Sequence, residues 1–276
     1  MTTLDLIDCG VEPGADSTDA IQDIINGAQI GETVYVPKGT FNIDATKSLN
    51  LRTGIGLVVS VGATLQAIPN NRSFSSVVTI ANAHDVSLTI NGSIVGDRNT
   101  HLVRSGEWGM GVSVLSSHNV SIYGSGKVTQ CWGDGIYVQD VKNVIVSGLT
   151  CDGNRRQGMS VISVDGLKVL KCIFSNTKGT DPQSGLDMEP DDATQFIRNV
   201  EIAYCQFIDN AGAGILFGFG RAPRGNLQNV NVHDNIYQGC KPISGVDSPL
   251  AKLLYASCRW VPGYDWWGYP RDYAIT

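Results

Sequence analysis

The chain has 276 residues, 42% of them hydrophobic and 17% charged, with 32 glycines and a formal charge of −6. Apolar content of that size fills a core and excludes a disordered chain. The acidic balance and the lack of clustered Lys/Arg exclude a basic nucleic-acid binder. No apolar run approaches the ~18 residues that span a bilayer, so no membrane partner is expected.

The opening Met1-Thr-Thr-Leu-Asp-Leu-Ile-Asp has neither a basic start nor an apolar stretch, so no secretory leader is visible. After it, Ser17-Thr-Asp-Ala-Ile-Gln-Asp-Ile-Ile-Asn-Gly places apolar residues at 20, 21, 24, 25 and 28. That spacing predicts one amphipathic helix, capped by Ser17 or Asp16 and ended by Gly27 or Gly31. The strands Thr33-Val-Tyr-Val and Thr40-Phe-Asn-Ile follow.

From residue 111 the chain repeats. Gly111-Val-Ser-Val, Gly135-Ile-Tyr-Val, Gly158-Met-Ser-Val, Gly185-Leu-Asp-Met and Gly214-Ile-Leu-Phe recur at intervals of 24, 23, 27 and 29 residues. Between them lie Asn119-Val-Ser-Ile, Asn143-Val-Ile-Val, Gly166-Leu-Lys-Val, Asn199-Val-Glu-Ile and Asn229-Val-Asn-Val. Short alternating strands at a near-constant period predict a parallel β-helix, each coil stacked on the last at ~4.8 Å. The fold class expected is all-β: a parallel β-helix solenoid with the helix as its N-terminal plug. One domain covers 1–276, with a cap at 1–45, coils at 46–240 and an aromatic-rich tail at 241–276. Trp260, Tyr264, Trp266, Trp267, Tyr269 and Tyr273 make that tail a plug or a trimer interface. Asn154, Asn176 and Asn210 are expected to form a turn ladder, and Cys172 and Cys205 to share a core position. The seven cysteines are widely spaced without CxxC, so they read as buried thiols rather than zinc ligands.

With 112/114, 136/138, 159/161, 186/188 and 215/217 inward, the outward columns are Ser113, Tyr137, Ser160, Asp187, Leu216 and Leu115, Gln139, Ile162, Glu189, Gly218. Asp187 and Glu189 thus share one strand face about 6.6 Å apart. Asp134, Arg155 and Arg156 lie in turns of neighbouring coils, beside Glu107, Trp108, Trp132 and Tyr137; Asp191 and Asp192 follow Pro190. A carboxylate pair can protonate a glycosidic oxygen and activate water. Asp187 and Glu189 are therefore the expected acid/base pair, with Asp134 as alternative partner. Arg155, Arg156, Trp132, Tyr137, Glu107, Trp108, Asp191 and Asp192 are the expected sugar-binding set. His84, His101, His118 and His233 read as structural or solvated.

Asp16-Ser-Thr-Asp-Ala-Ile-Gln-Asp-Ile-Ile with Glu32-Thr-Val-Tyr-Val-Pro-Lys-Gly-Thr-Phe-Asn-Ile resembles the opening of the pectate-lyase-like superfamily over residues 8–240. That superfamily contains right-handed parallel β-helices (phage tailspike depolymerases, polygalacturonases, pectate lyases and mannuronan C5-epimerases), so the resemblance implies a right-handed solenoid. The resemblance implies a polysaccharide partner bound along the outside of the helix. It also implies an extracellular or virion location and a monomer or homotrimer. No resident cofactor is expected, although calcium could join the acids at 187–192. Of the polygalacturonase motifs (Asn-Thr-Asp, Asp-Asp, Gly-His-Gly, Arg-Ile-Lys) only Asp191-Asp192 has a counterpart. Asp187-Met-Glu189-Pro190 stands where epimerases carry Asp-Pro-His, without the histidine. A glycoside hydrolase is the leading expectation. A lyase or epimerase on uronate polymers, with Tyr137 as a lyase's base, is the first alternative; a non-catalytic glycan-binding or spike module is the second.

Overall fold

The computed structural model describes residues 2–218 and 226–245, and the backbone alone of 259–260. The aromatic tail lies outside the described residues, apart from the backbone of Trp260. The chain winds as an all-β right-handed parallel β-helix. Two sheets of nine strands and one of eight each take one strand from successive coils, and every pairing is parallel. The eight-stranded sheet runs from Leu49–Leu51 through Trp108–Leu115, Ile136–Gln139, Met159–Val161 and Leu186–Met188 to Lys241–Ser244.

Register follows the repeat residue for residue. Val112, Ile136, Met159, Leu186 and Ile215 pair in succession, and all five are buried. A one-residue slip would carry this apolar column out of the core, so the pattern specifies the pairing. Towards the C-terminal end of the stack Phe174, Phe207 and Tyr237 lie ring on ring at 5.3 and 5.1 Å. Each such contact adds about 0.5–1.5 kcal/mol beyond the area it buries.

The second motif marks a bend. Asn119, Asn143, Gly166, Asn199 and Asn229 all have φ between 51° and 85°, a region that Gly and Asn enter most readily. Their amides form short chains, Asn143 donating to Asn119 at 3.2 Å and Asn229 to Asn199 at 2.8 Å. These chains end on the carboxylates of Asp85 and Asp165.

The turn ladder forms one residue away from its expected composition. Register aligns Cys131, Asn154, Thr177 and Asn210. Asn176 instead stands beside Gly153 and Asp209, all three with positive φ, and donates to Asp152. Buried Asn154 and Asn210 each accept a backbone N–H from the preceding coil and donate to a carbonyl there. Asn210→Ala would orphan the Thr177 N–H and the Phe174 carbonyl. It is expected to cost roughly 1–3 kcal/mol in urea unfolding. Cys172 and Cys205 do share a core position, and both are buried.

The helix, Thr18–Gly27, closes the first coil by burying Ile21 and Ile25. Asp16 rather than Ser17 serves its N-terminus, accepting the N–H and hydroxyl of Thr18 at 3.0 and 2.6 Å. Arg52 donates to the Ile25 and Ala28 carbonyls at the other end. Among the described residues no helix is long and apolar enough to cross a membrane.

Candidate active site

Turns 130–135, 153–158 and 176–185 lead into successive strands of the eight-stranded sheet and bring the predicted residues to one place. Arg156 is the hub. Its guanidinium faces Asp134 and Glu189 at 3.3 Å each and Glu107 at 3.5 Å, from three different coils. Asp134 also accepts the Ser160 hydroxyl at 2.8 Å. Gln157 donates to Asp187 at 2.7 Å and accepts the Ser184 N–H.

The expectation that both acids of the pair face solvent needs correction. Asp187 points away from the core, yet it is 0% exposed, as is Asp134. Alternation tells which face of a strand a residue takes; it does not tell that the neighbouring turn folds back over that face. Here Arg156 and the fully buried Gln157, both from turn 153–158, bond to the buried acids. The Glu189 side chain remains 28% exposed and that of Glu107 36%.

Burial is the largest influence on these acids. It pushes Asp134 up to about 6 against the pull of Arg156 and Ser160. It raises Asp187 further, helped by the negative charge of nearby Glu189. Both effects favour the protonated form of Asp187.

Each raised acid holds, in the native state, a proton that the unfolded chain has lost. Its contribution is complete below the ordinary carboxylate range and is lost as pH rises through the folded value. For Asp134 the loss amounts to roughly 3 kcal/mol at most. Asp187→Asn removes the larger of the two penalties. It is expected to gain stability relative to wild type between about pH 5 and pH 8.5, read by urea melts. A constant difference between the two proteins across that interval would contradict the buried-proton assignment.

The two predicted aromatic–arginine elements turn inward. Trp132 is buried with both faces covered, the Arg155 guanidinium at 3.7 Å on one side and the His101 ring at 4.3 Å on the other. Arg155 donates to the Gly106 and Trp132 carbonyls. Trp132 therefore has no free face for a sugar, whereas Arg155 stays partly exposed. Asp192 forms a local turn, accepting the N–H and hydroxyl of Thr194, and its carboxyl lies below the usual range for that reason. Asp191 stays near the acids, its carboxyl raised by partial burial and by Glu189. Tyr137 donates to Gln139, and burial lifts its phenol to about 12, which makes it a poor base at neutral pH. Trp108 is 44% exposed and in direct register with half-exposed Phe74, one coil nearer the N-terminus.

Segment 96–107 holds what the sequence left unread. Asp97 binds His101 at 2.8 Å and accepts two bonds from Asn70, while Arg98 donates to the Gly153 and Lys178 carbonyls. Among the described residues no group of three or more His, Cys, Asp or Glu side chains is placed to hold a metal ion.

Three parallel sheets wound in one spiral, with polar chemistry gathered on an outer wall, define a right-handed parallel β-helix protein. The chain belongs to the right-handed beta helix family, whose model matches residues 70–248. It is 27% identical over 250 residues to the uncharacterized protein YclG of Bacillus subtilis, covering 76% of this chain and 42% of that one. In fold it is similar to the Yersinia enterocolitica family 28 exopolygalacturonase, with a TM-score of 0.67 and 14% identity. That match covers 94% of this chain and 64% of the enzyme. It is also similar to tailspike gp49 of Acinetobacter baumannii bacteriophage Fri1, a capsular polysaccharide depolymerase. There the TM-score is 0.59 at 16% identity, over 88% and 47% of the two chains. The chain thus spans less than half of YclG and less than two thirds of the exopolygalacturonase.

Proposed function

We propose that this protein is a glycoside hydrolase acting on an extracellular or capsular polysaccharide, with Glu189 as its proton donor. The observation that carries the reading is the Asp187–Glu189 pair on one strand, the first sealed and protonated, the second open to solvent. A proton from Asp187 passes through Glu189 to the leaving glycosidic oxygen as the bond from that oxygen to the anomeric carbon breaks, and a proton from solvent returns to Asp187 through Glu189. Arg156 fixes the Glu189 carboxylate and offsets the surrounding negative charge. Asp134 holds Arg156 from below, and half-exposed Trp108 offers an apolar face to a sugar ring. The two similar enzymes act on polysaccharides, which supports the substrate class and a location on a virion or outside the cell.

The test is incubation with a panel of bacterial and plant glycans. New reducing ends without absorbance near 235 nm are expected (about 235 nm marks an unsaturated uronate product of elimination). An unsaturated product would replace this reading by a lyase. Binding without any new ends would replace it by a glycan-binding module.

A further inference from the structure

We propose that Glu107 is the second catalytic carboxylate, the base that activates water opposite Glu189; this rests on reading the site as a hydrolase. Four carboxylates gather around Arg156, with exposed Asp191 near Glu189 as a fifth, but Asp134 and Asp187 are sealed from solvent and cannot touch a glycan. Only Glu107 and Glu189, at 36% and 28%, open outward among those four. Their carboxylates approach the same guanidinium from different coils, Glu107 at 3.5 Å from Nε and Glu189 at 3.3 Å from Nη2. Glycoside hydrolysis uses such a pair of carboxylates at one scissile bond.

The position of Glu107 is built rather than incidental. It ends segment 96–107, and two consecutive arginines grip its last two residues: Arg155 binds the Gly106 carbonyl at 3.0 Å, and Arg156 pairs with Glu107. Arg155 is itself fixed on the face of Trp132, whose other face carries His101 from the same segment. His101 is oriented by Asp97, and Arg98 ties the segment to two later turns. The buried Trp132 sandwich therefore positions Glu107, while its neighbour Trp108 lies open beside it. In the reaction Glu107 takes a proton from water as the water oxygen bonds to the anomeric carbon. The bond to the leaving oxygen breaks, and Glu189 protonates that oxygen. One water is consumed, and each fragment ends in a hydroxyl.

The experiment compares Glu107→Ala and Glu189→Gln with wild type on the glycan that the wild type cleaves, with and without sodium azide. Glu107→Ala is expected to lose roughly 10²–10⁴-fold in kcat with little change in KM. Azide should restore its turnover and yield a glycosyl azide. Near-wild-type turnover of Glu107→Ala beside an inactive Glu189→Gln would overturn the Glu107 assignment and leave the hydrolase reading intact. Loss without azide rescue would make Glu107 a structural group and overturn the assignment equally. Full activity of Glu189→Gln would overturn the hydrolase reading and this proposal with it.

Discussion

Glu189→Gln is expected to lower kcat/KM on the cleaved glycan by roughly 10²–10⁴-fold. Its melting temperature should stay close to that of wild type. Both halves follow from where the side chain stands. Glu189 lies on the outer wall and is partly open, so its loss leaves no cavity in the core. Arg156 retains Asp134 and Glu107, so no isolated charge is left behind. What disappears is the only open end of the proton path from Asp187. Asp187→Asn should act differently, because Asp187 has no exposed surface. As a positioning residue it should move the pH dependence of the rate more than its maximum. A Glu189→Gln protein that cleaves at the wild-type rate would contradict the assignment.

Arg156→Met is expected to cost about 1–2 kcal/mol near neutral pH, because buried Asp134 loses its cation and must take up a proton there. Asp134 has no exposed surface, and its remaining donor is Ser160. The cost should depend on pH in a definite direction. Asp134 sits near 6 with the arginine in place, and losing that cation raises it further. Below that range Asp134 is protonated and the missing partner matters less, so the penalty should shrink as pH falls to about 5. Adding Asp134→Asn should recover most of the loss. Urea unfolding of the single and double variants at two pH values measures all three quantities. A penalty unchanged by pH, or no recovery in the double variant, would show that Arg156 stabilises the turn by other means.

The sequence was most informative where its own period repeats. The glycine-led strands and their Asn-led partners follow the stacking geometry directly, because each apolar position must meet its equivalent one coil away. The carboxylates, Arg156 and Glu107 could be assembled into one locality for the same reason: register places neighbouring coils in line. Exposure was not legible. A strand's alternation separates core from outside, but whether Asp187 meets solvent depends on how turn 153–158 folds over it. The aromatic residues illustrate a related limit. Trp108 and Trp132 occupy comparable positions in the repeat, yet one is open and the other enclosed. The difference comes from segment 96–107, an irregular insertion. Its anchoring bonds reach residues 55 and 80 positions away, beyond any local pattern. Asn176 shows the smallest failure: a one-residue offset in a turn moved it out of the buried column and put Thr177 in its place.

A sealed Asp187 that feeds a proton to Glu189 should leave its mark on the pH dependence of turnover. The most direct test is the pH profile of kcat/KM for wild type and Asp187→Asn on the same glycan. Activity of the wild type is expected to persist above the ordinary carboxylate range. The alkaline limb of the variant should fall back toward that range. Superimposable alkaline limbs in the two proteins would contradict it.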